Sequence, residues 1–252
     1  MKIIVLTSVL CLLLQSCFAQ SSQFKSNTDQ SNQADKFKGV NKAPGFSKRV
    51  VCIDPGHPSE TSAGSVVQNG TTEVHIVWVV ALKLKKLLEA EGIKVVMTKQ
   101  KENQQVTNKA RAETANRAKA DLMIRLHCDA SQDNGYAIYS PDRQGTVQGV
   151  TGPAQTVIDR SRIAADFVHQ GMAGVLEGVL KDGGARGDSQ TFVGSKQGAL
   201  TGSIFSQVPA VLVEMVVLSN PSDAEFIKTE DGQLKMAQAI AAGIKLYLQQ
   251  NP

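Results

Sequence analysis

From residue 50 onward, the chain alternates short, β-rich apolar runs with longer amphipathic segments. The first run covers Val50–Asp54, a segment of helical periodicity follows at Glu73–Glu91, and a second β-rich run covers Lys94–Thr98. In the helical segment, apolar side chains recur every three or four residues, which is the spacing of one helix face. A strand, a helix and a strand in this order predict a right-handed crossover between parallel strands.

The same alternation continues towards the end of the chain. Further strands are predicted at Asp121–Cys128, Tyr136–Ser140 and Val208–Met215, and further helices at Lys109–Lys119, Asp159–Leu180 and Gly232–Leu248. The connection Pro141–Pro153 is rich in glycine and polar residues, and we predict it to be a loop. No internal repeat interrupts the order. The pattern therefore predicts an α/β fold: a twisted, mostly parallel β-sheet flanked by helices on both faces, in a single domain over residues 48–252.

The N-terminal 47 residues follow a different pattern. Met1-Lys2 precedes an apolar run from Ile3 to Leu14, which has the length of a signal-peptide core and is too short to span a bilayer. Residues 20–47 are rich in Ser, Asn, Gln and Lys and have little apolar surface to bury. We predict a signal peptide over 1–19, a disordered polar linker over 20–47, and export to the periplasm or cell envelope.

Two processing routes fit the end of the signal peptide. Leu14-Gln15-Ser16-Cys17 resembles a bacterial lipobox, in which Cys17 would carry the lipid that anchors the protein to the membrane. Cys17-Phe18-Ala19 before Gln20 instead offers small residues at the positions that ordinary signal cleavage requires. The polar segment that follows favours the lipoprotein slightly, and both routes stay open.

The charge balance limits the expected partners, and the cysteine content argues against a disulfide scaffold. Without Lys2, which lies in the predicted signal peptide, the chain has 26 basic residues instead of 27, against 23 acidic ones. No basic stripe interleaved with aromatic residues is present, so nucleic acid is not an expected partner, whereas an anionic polymer such as a bacterial wall is compatible. Cys52 and Cys128 are too few for a disulfide scaffold, and we expect both to be small buried hydrophobes.

Four polar residues stand at the ends of apolar segments. His57 follows the first strand, Glu73 begins the first long helix, His127 closes the strand DLMIRLH, and Glu214 lies within the apolar stretch Val211–Val217. In α/β sheets, ligands bind outside the carboxyl ends of the strands. An ionised carboxylate without a partner is costly in an apolar strand, so Glu214 is expected to face a cation, a water bound to a metal, or a ligand.

Together these residue types form a coherent hydrolytic set. Two imidazoles and one carboxylate can hold Zn²⁺ and leave a fourth position for water, while a second carboxylate accepts a proton from that water. Zinc lowers the pKa of bound water towards about 7. The set therefore predicts amide hydrolysis.

Six separated motifs run along the body of the chain. They are Asp54–His57, Glu73, Arg111–Asn116, Ala120–His127, Pro209–Glu214 and Leu218–Pro221. In this order they resemble the zinc-dependent N-acetylmuramoyl-L-alanine amidases typified by bacterial cell-separation amidases and sporulation wall hydrolases. The resemblance extends from about Val50 to Leu248, which is nearly the whole globular body.

The resemblance implies a role for each of the four residues. It implies that His57, Glu73 and His127 are zinc ligands and that Glu214 is the general base, which later protonates the leaving amine. The implied reaction cleaves the amide between the lactyl group of N-acetylmuramic acid and the L-alanine of peptidoglycan, which makes peptidoglycan the expected partner. Two alternatives stay open: a catalytically silent peptidoglycan-binding relative, and a zinc peptidase acting on another wall substrate.

Several positions depart from the family pattern. Pro58-Ser59 stand where a second glycine usually follows the first histidine, and Arg125 stands where a serine is common. Lys99 replaces an arginine, and Val216 replaces a small residue. Because side chains alternate along a strand, we expect Arg125 on the same face as His127, where its charge would affect the preference for carboxylates in the substrate.

Three further residues near the predicted site are expected to have roles other than metal ligation. His75 lies two residues after Glu73, which places it on a different helix face, and we expect it to be exposed or to support a ligand. Cys128 neighbours His127 in a strand and is expected on the opposite face. Asp54 either orients a ligand histidine or caps the Pro-Gly turn.

Overall fold

A computed structural model describes residues 46, 48–61 and 63–250 of the chain. The predicted signal peptide, with Cys17, and nearly all of the predicted linker lie outside the described residues. Among the described helices, none is both long and apolar enough to cross a membrane.

The described chain contains eight β-strands, seven α-helices and a short 3₁₀ turn at Asp188–Gln190. The strands are β1 (Val50–Pro55), β2 (Lys94–Met97), β3 (Leu122–Asp129), β4 (Tyr136–Ser140), β5 (Gly145–Val147), β6 (Val150–Gly152), β7 (Asp182–Gly187) and β8 (Ala210–Val217). The helices are α1 (Glu73–Ala90), α2 (Asn108–Arg117), α3 (Gln155–Leu176), α4 (Gly194–Gln197), α5 (Thr201–Ile204), α6 (Pro221–Lys228) and α7 (Glu230–Gln250).

Six strands form one mixed sheet in the order β2-β1-β3-β8-β4-β7. β1 pairs in parallel with β2 and with β3, and β3 pairs in parallel with β8. β4 runs antiparallel to β8 and parallel to β7. The predicted α/β fold with a mostly parallel sheet is confirmed, and the register places His127 directly opposite Glu214.

The two faces of the sheet carry layers of different size. Helices α1, α3 and α7 pack together over one face and enclose the larger apolar core, which includes Cys128. Helix α2 packs on the other face, above a smaller cluster that includes Cys52, Met123 and Ala115. Both cysteines are buried and unpaired, as the sequence predicted. The predicted opposite orientations of His127 and Cys128 are also confirmed, because Cys128 faces the larger core while His127 lines a cleft.

Two segments differ from their sequence predictions. The connection Pro141–Pro153 contains a small hairpin of β5 and β6, whose turn uses positive φ angles at Gln148 and Gly149. Strand β7 was not predicted because its sequence, DGGARG, lacks alternating apolar residues. It forms the edge of the sheet, where one side of the strand stays unpaired and little burial is required.

Helices α3 and α7 cross at a pair of glycines. A Cβ atom added to Gly171 would lie 2.2 Å from the backbone nitrogen of Gly243, which is much closer than van der Waals contact. A Cβ atom on Gly243 would likewise lie 2.5 Å from the Cα of Val168. The layer over the larger core therefore depends on the absence of side chains at this crossing.

Replacing Gly171 by alanine should separate these helices and lower the free energy of unfolding by about 1–3 kcal/mol. Urea denaturation measures this change. Gly174→Ala is the matched control, because Gly174 lies exposed on the same helix and an added Cβ would meet nothing within 4 Å. Alanine at Gly174 should be neutral or stabilise by up to about 1 kcal/mol. Equal stability of the two variants would contradict the close crossing.

Candidate metal centre and active site

The four predicted site residues come together at the carboxyl edge of the sheet. His57 follows β1, His127 and Glu214 are neighbours on β3 and β8, and Glu73 is the first residue of α1. The helix begins there because the Thr72 hydroxyl caps it by accepting a hydrogen bond from the His75 N–H. His57, His127 and Glu214 line a cleft of about 700 Å³.

His57, Glu73 and His127 form a compact set of potential metal donors. His57 Nε2 lies 3.5 Å from Glu73 Oε2, and His127 Nδ1 lies 2.9 Å from Glu73 Oε1. The two imidazole rings meet edge to face, with centroids 5.0 Å apart. One donor atom from each residue lies within 4.8 Å of the others. Two imidazoles and one carboxylate in this arrangement fit a single divalent cation.

Two unsatisfied ring nitrogens support this interpretation. His57 Nδ1 and His127 Nε2 are buried and have no hydrogen-bond partner within the described part of the chain. The other nitrogen of each ring is the one that faces Glu73. Buried polar atoms normally have partners, so these two nitrogens indicate a further partner in the site, such as a metal ion. The residues therefore fit a metal centre of the kind that the sequence suggested.

The electrostatics of the site favour neutral imidazole and ionised Glu73. Burial lowers the pKa of His57 to about 4, against the opposing charge of Glu73, so this ring is neutral at physiological pH. For Glu73, burial alone would raise the pKa, but the hydrogen bond and charge of His127 hold it below its usual range. The backbone N–H of Cys128 also donates to Glu73 Oε1 at 3.1 Å. Neutral histidines and a carboxylate are the forms that bind metals.

The pKa of Glu214 is shifted in the opposite direction to that of Glu73. Burial raises its pKa well above the usual range, repulsion from Glu73 and Asp129 adds to this, and Arg125 offsets part of it. Its Oε2 atom is buried and has no hydrogen-bond partner among the described residues. Two nearby carboxyl groups with pKa values shifted apart indicate different chemical roles. Glu73 is suited to ligation and Glu214 to holding a proton.

Two glycines allow the imidazole rings to pack against the backbone. A Cβ atom on Gly56 would lie 2.5 Å from His127 Cε1, and one on Gly64 would lie 2.6 Å from His57 Cδ2. Gly64 also has a φ of +83°, a conformation that side chains disfavour. Any larger residue at Gly56 or Gly64 would displace a histidine.

His57 itself has a strained backbone, with a φ of +50°. The buried ammonium group of Lys99 stabilises this turn by donating hydrogen bonds to the carbonyl oxygens of His57 and Gly56, the latter at 3.3 Å. It also donates to the Glu102 carbonyl at 2.8 Å. Burial lowers the pKa of Lys99 to about 8. Lys99, noted in the sequence only as a family departure, therefore positions the turn that carries His57.

Arg111 contacts the same turn from helix α2. Its Nη1 donates to the Pro55 carbonyl at 2.6 Å and its Nη2 to the Pro58 carbonyl at 2.8 Å. A third hydrogen bond, from Nε to the Val106 carbonyl, fixes the base of the side chain. In the sequence, Arg111 is recognised only as part of a motif. A clearer signal would have been its place beside Ala112 and Ala115 on the buried face of α2.

Asp54 is the countercharge for these cations. Its carboxylate accepts hydrogen bonds from Thr98 at 2.5 Å, from Arg111 at 2.7 Å and from Arg125 at 3.0 Å, and it is completely buried. Burial alone would raise its pKa, but the two guanidinium groups hold the pKa of Asp54 well below its usual range. Among the described residues these three, and no histidine, donate hydrogen bonds to the carboxylate, so Asp54 organises the cations behind the site.

Two other histidines and one departure from the family pattern lie apart from the donor set. His75 is half exposed and lies 3.2 Å from the Glu102 carboxylate, in agreement with its predicted position. His169 contacts Asp182 at 2.9 Å, on the side of α3. Val216 is buried in the larger core, so this departure from the family pattern changes packing rather than the cleft.

A comparison with known protein families decides the classification. A family model described as N-acetylmuramoyl-L-alanine amidase matches residues 51–246. The chain belongs to this family. The matched residues contain all four site residues and extend from β1 into α7.

Individual members of the amidase family show the extent of the similarity. AmiC of Escherichia coli O6:H1 is 28% identical over 232 residues, which cover 79% of this chain and 52% of AmiC. The probable cell wall amidase LytH of Staphylococcus epidermidis is 28% identical over 224 residues, 87% of this chain and 62% of LytH. The catalytic domain of CwlV from Bacillus (Paenibacillus) polymyxa superposes with a TM-score of 0.63 at 25% identity, covering 80% of this chain and 98% of that domain. This chain thus spans between half and two thirds of AmiC and LytH.

Replacing Asp54 by asparagine should leave two buried guanidinium groups without a full countercharge and destabilise the fold by about 3–5 kcal/mol at pH 7. Because the pKa of Asp54 is lowered on folding, its contribution is present above about pH 4 and is lost as the pH falls further. The stability gap between wild type and variant should therefore narrow below about pH 4. Denaturant unfolding at several pH values measures this gap.

The control for this experiment is Glu113→Gln, which removes the exposed partner of Arg117. That change should alter the free energy of unfolding by less than about 1 kcal/mol. A stability gap for Asp54→Asn that stays constant down to pH 3 would show that Asp54 does not carry the proposed charge.

Proposed function

We propose that this protein is a zinc-dependent N-acetylmuramoyl-L-alanine amidase. It hydrolyses the amide between the lactyl group of N-acetylmuramic acid and the L-alanine of the peptidoglycan stem. The observation that carries the proposal is the convergence of His57, Glu73 and His127 into one donor set, at a cleft that Glu214 also lines. Membership of the amidase family supports the identity of the bond.

Each of the four side chains would have its own role in the reaction. His57, Glu73 and His127 would hold the zinc ion, which supplies a Lewis acid and lowers the pKa of coordinated water towards about 7. Glu214 lies across from His127 in the register of β3 and β8, so it can accept the proton of the attacking water. Its raised pKa favours holding that proton until the C–N bond breaks, when the proton passes to the nitrogen of the leaving amine.

The setting of the reaction forms part of the same proposal. Peptidoglycan lies outside the cytoplasm, which agrees with the predicted signal peptide over 1–19 and with export to the periplasm or cell envelope. If Cys17 carries lipid, the polar linker over 20–47 would let the domain reach the wall from the membrane.

One set of variants tests the assignment of roles. The wild-type protein should bind about one Zn²⁺ per chain and release stem peptides from purified wall, and chelation should abolish the release. Glu214→Gln should keep the zinc and lose at least about 100-fold in turnover, since it removes the proton acceptor. His127→Ala should lose both the zinc and the activity. Elemental analysis and peptide release on the same preparations give the two measurements.

His75→Ala is the matched control, because His75 lies two residues after Glu73, on a different face of α1, and contacts Glu102 instead. This variant should keep both zinc and activity. Full turnover in Glu214→Gln would remove Glu214 from the proton-transfer role. Zinc binding without wall cleavage in the wild type would favour the catalytically silent relative, and cleavage within the peptide would favour the zinc peptidase.

A further inference from the structure

Arg125 lies in the wall of the cleft beside the proposed active site. It precedes His127 by two residues on β3, and both side chains point to the same face of the sheet. The residue is only 3% exposed, yet it lines the same cleft as His127 and Glu214. A cation is therefore fixed next to the place where the scissile amide would lie.

Most of the guanidinium group is held rigidly. Nε donates to Asp54 Oδ2 at 3.0 Å, and Nη2 donates to Asn108 Oδ1 at 2.8 Å. Asn108 is itself fixed by Glu60, whose carboxylate accepts hydrogen bonds from its side chain and its backbone N–H, both at 2.8 Å. Nη1 makes no hydrogen bond to any described residue, so this donor remains for a ligand.

Helix α5 leaves room for this nitrogen. A Cβ atom on Gly202 would lie 2.6 Å from Arg125 Nη1 and 2.7 Å from its Cζ. The neighbouring residues Leu200 and Thr201 line the cleft. The guanidinium group is thus confined between the sheet and α5, with its orientation set before any substrate arrives.

The carboxylate that contacts Arg125 is shared with a second cation. Asp54 Oδ2 lies 3.0 Å from Arg125 Nε, and Asp54 Oδ1 lies 2.7 Å from Arg111 Nη1. An added carboxylate in the cleft would therefore find an unsatisfied donor on a guanidinium group that has only half of one ion-pair partner.

We propose that Arg125 Nη1 binds the free α-carboxylate of the second residue of the stem peptide, an inference that rests on the proposed amidase function. Residues two apart on a strand are separated by about 6.6 Å. The residue after L-alanine places its carboxylate at a comparable distance, since each residue spans about 3.5 Å. When the second residue is glutamate linked through its side chain, its α-carboxylate is the first free carboxylate beyond the scissile amide.

Two substrates that differ in one group test this proposal. Both are N-acetylmuramoyl dipeptides with L-alanine and a γ-linked D-glutamate, one with a free α-carboxylate and the other with an α-carboxamide. The wild-type enzyme should cleave the carboxylate form with a kcat/KM higher by about 10- to 100-fold, expressed mainly in KM, because a charge-assisted hydrogen bond is lost in the carboxamide. Calorimetry with the inactive Glu214→Gln variant should give a similar ratio of Kd values.

Variants of Arg125 separate binding from structure. Arg125→Gln should reduce the preference to less than about threefold, whereas Arg125→Lys keeps the charge and should retain part of it. Arg117→Gln is the control, because Arg117 is an exposed arginine of α2 paired with Glu113. This variant should keep the full preference.

The outcomes distinguish this inference from the proposed function. Equal cleavage of both dipeptides by the wild type would overturn the role of Arg125 and leave the amidase assignment standing. If neither dipeptide nor intact wall is cleaved but the ratio of Kd values persists, the carboxylate site stands and the amidase function fails. The wild-type ratio requires no variant to fold, so a destabilising effect of Arg125→Gln would not obscure the result.

Discussion

The position of His57 depends on two buried cations that bind the backbone of the turn after β1. Lys99 and Arg111 together donate to the carbonyl oxygens of the four consecutive residues 55–58. Burying a cation is unfavourable unless it is paired and hydrogen-bonded. Asp54 offsets part of that cost and lies at the end of the same strand. The turn and its supporting charges therefore form one unit, and disturbing any member should move the imidazole.

The residues at the cleft differ in their protonation states. His57 is held in the neutral form beside ionised Glu73, while burial and repulsion keep the pKa of Glu214 high. The donor set and Glu214 thus lie at one edge of the sheet but in different electrostatic environments. Arg125 contacts Asp54 and also lines the cleft, so the support of the turn and the proposed carboxylate site share one ion-pair network.

The sequence predicted the fold and the convergence of the four site residues because both depend on local patterns. Each of the four ends or begins an apolar segment, and parallel strands bring such ends to one edge. Strand alternation also placed Arg125 with His127 correctly. The partners of Asp54 were not predictable, because Arg111 and Arg125 lie 57 and 71 residues away and no local pattern specifies such pairs. Strand β7 was missed because an edge strand requires no apolar alternation.

The central claim is that this cleft cuts one particular bond, and mass spectrometry of wall fragments after digestion tests it most directly. An amidase should yield glycan fragments that keep the free lactyl carboxyl group of N-acetylmuramic acid, together with peptides that begin with the free amine of L-alanine. Fragments cut between two amino acids of the stem, with the lactyl amide intact, would contradict it.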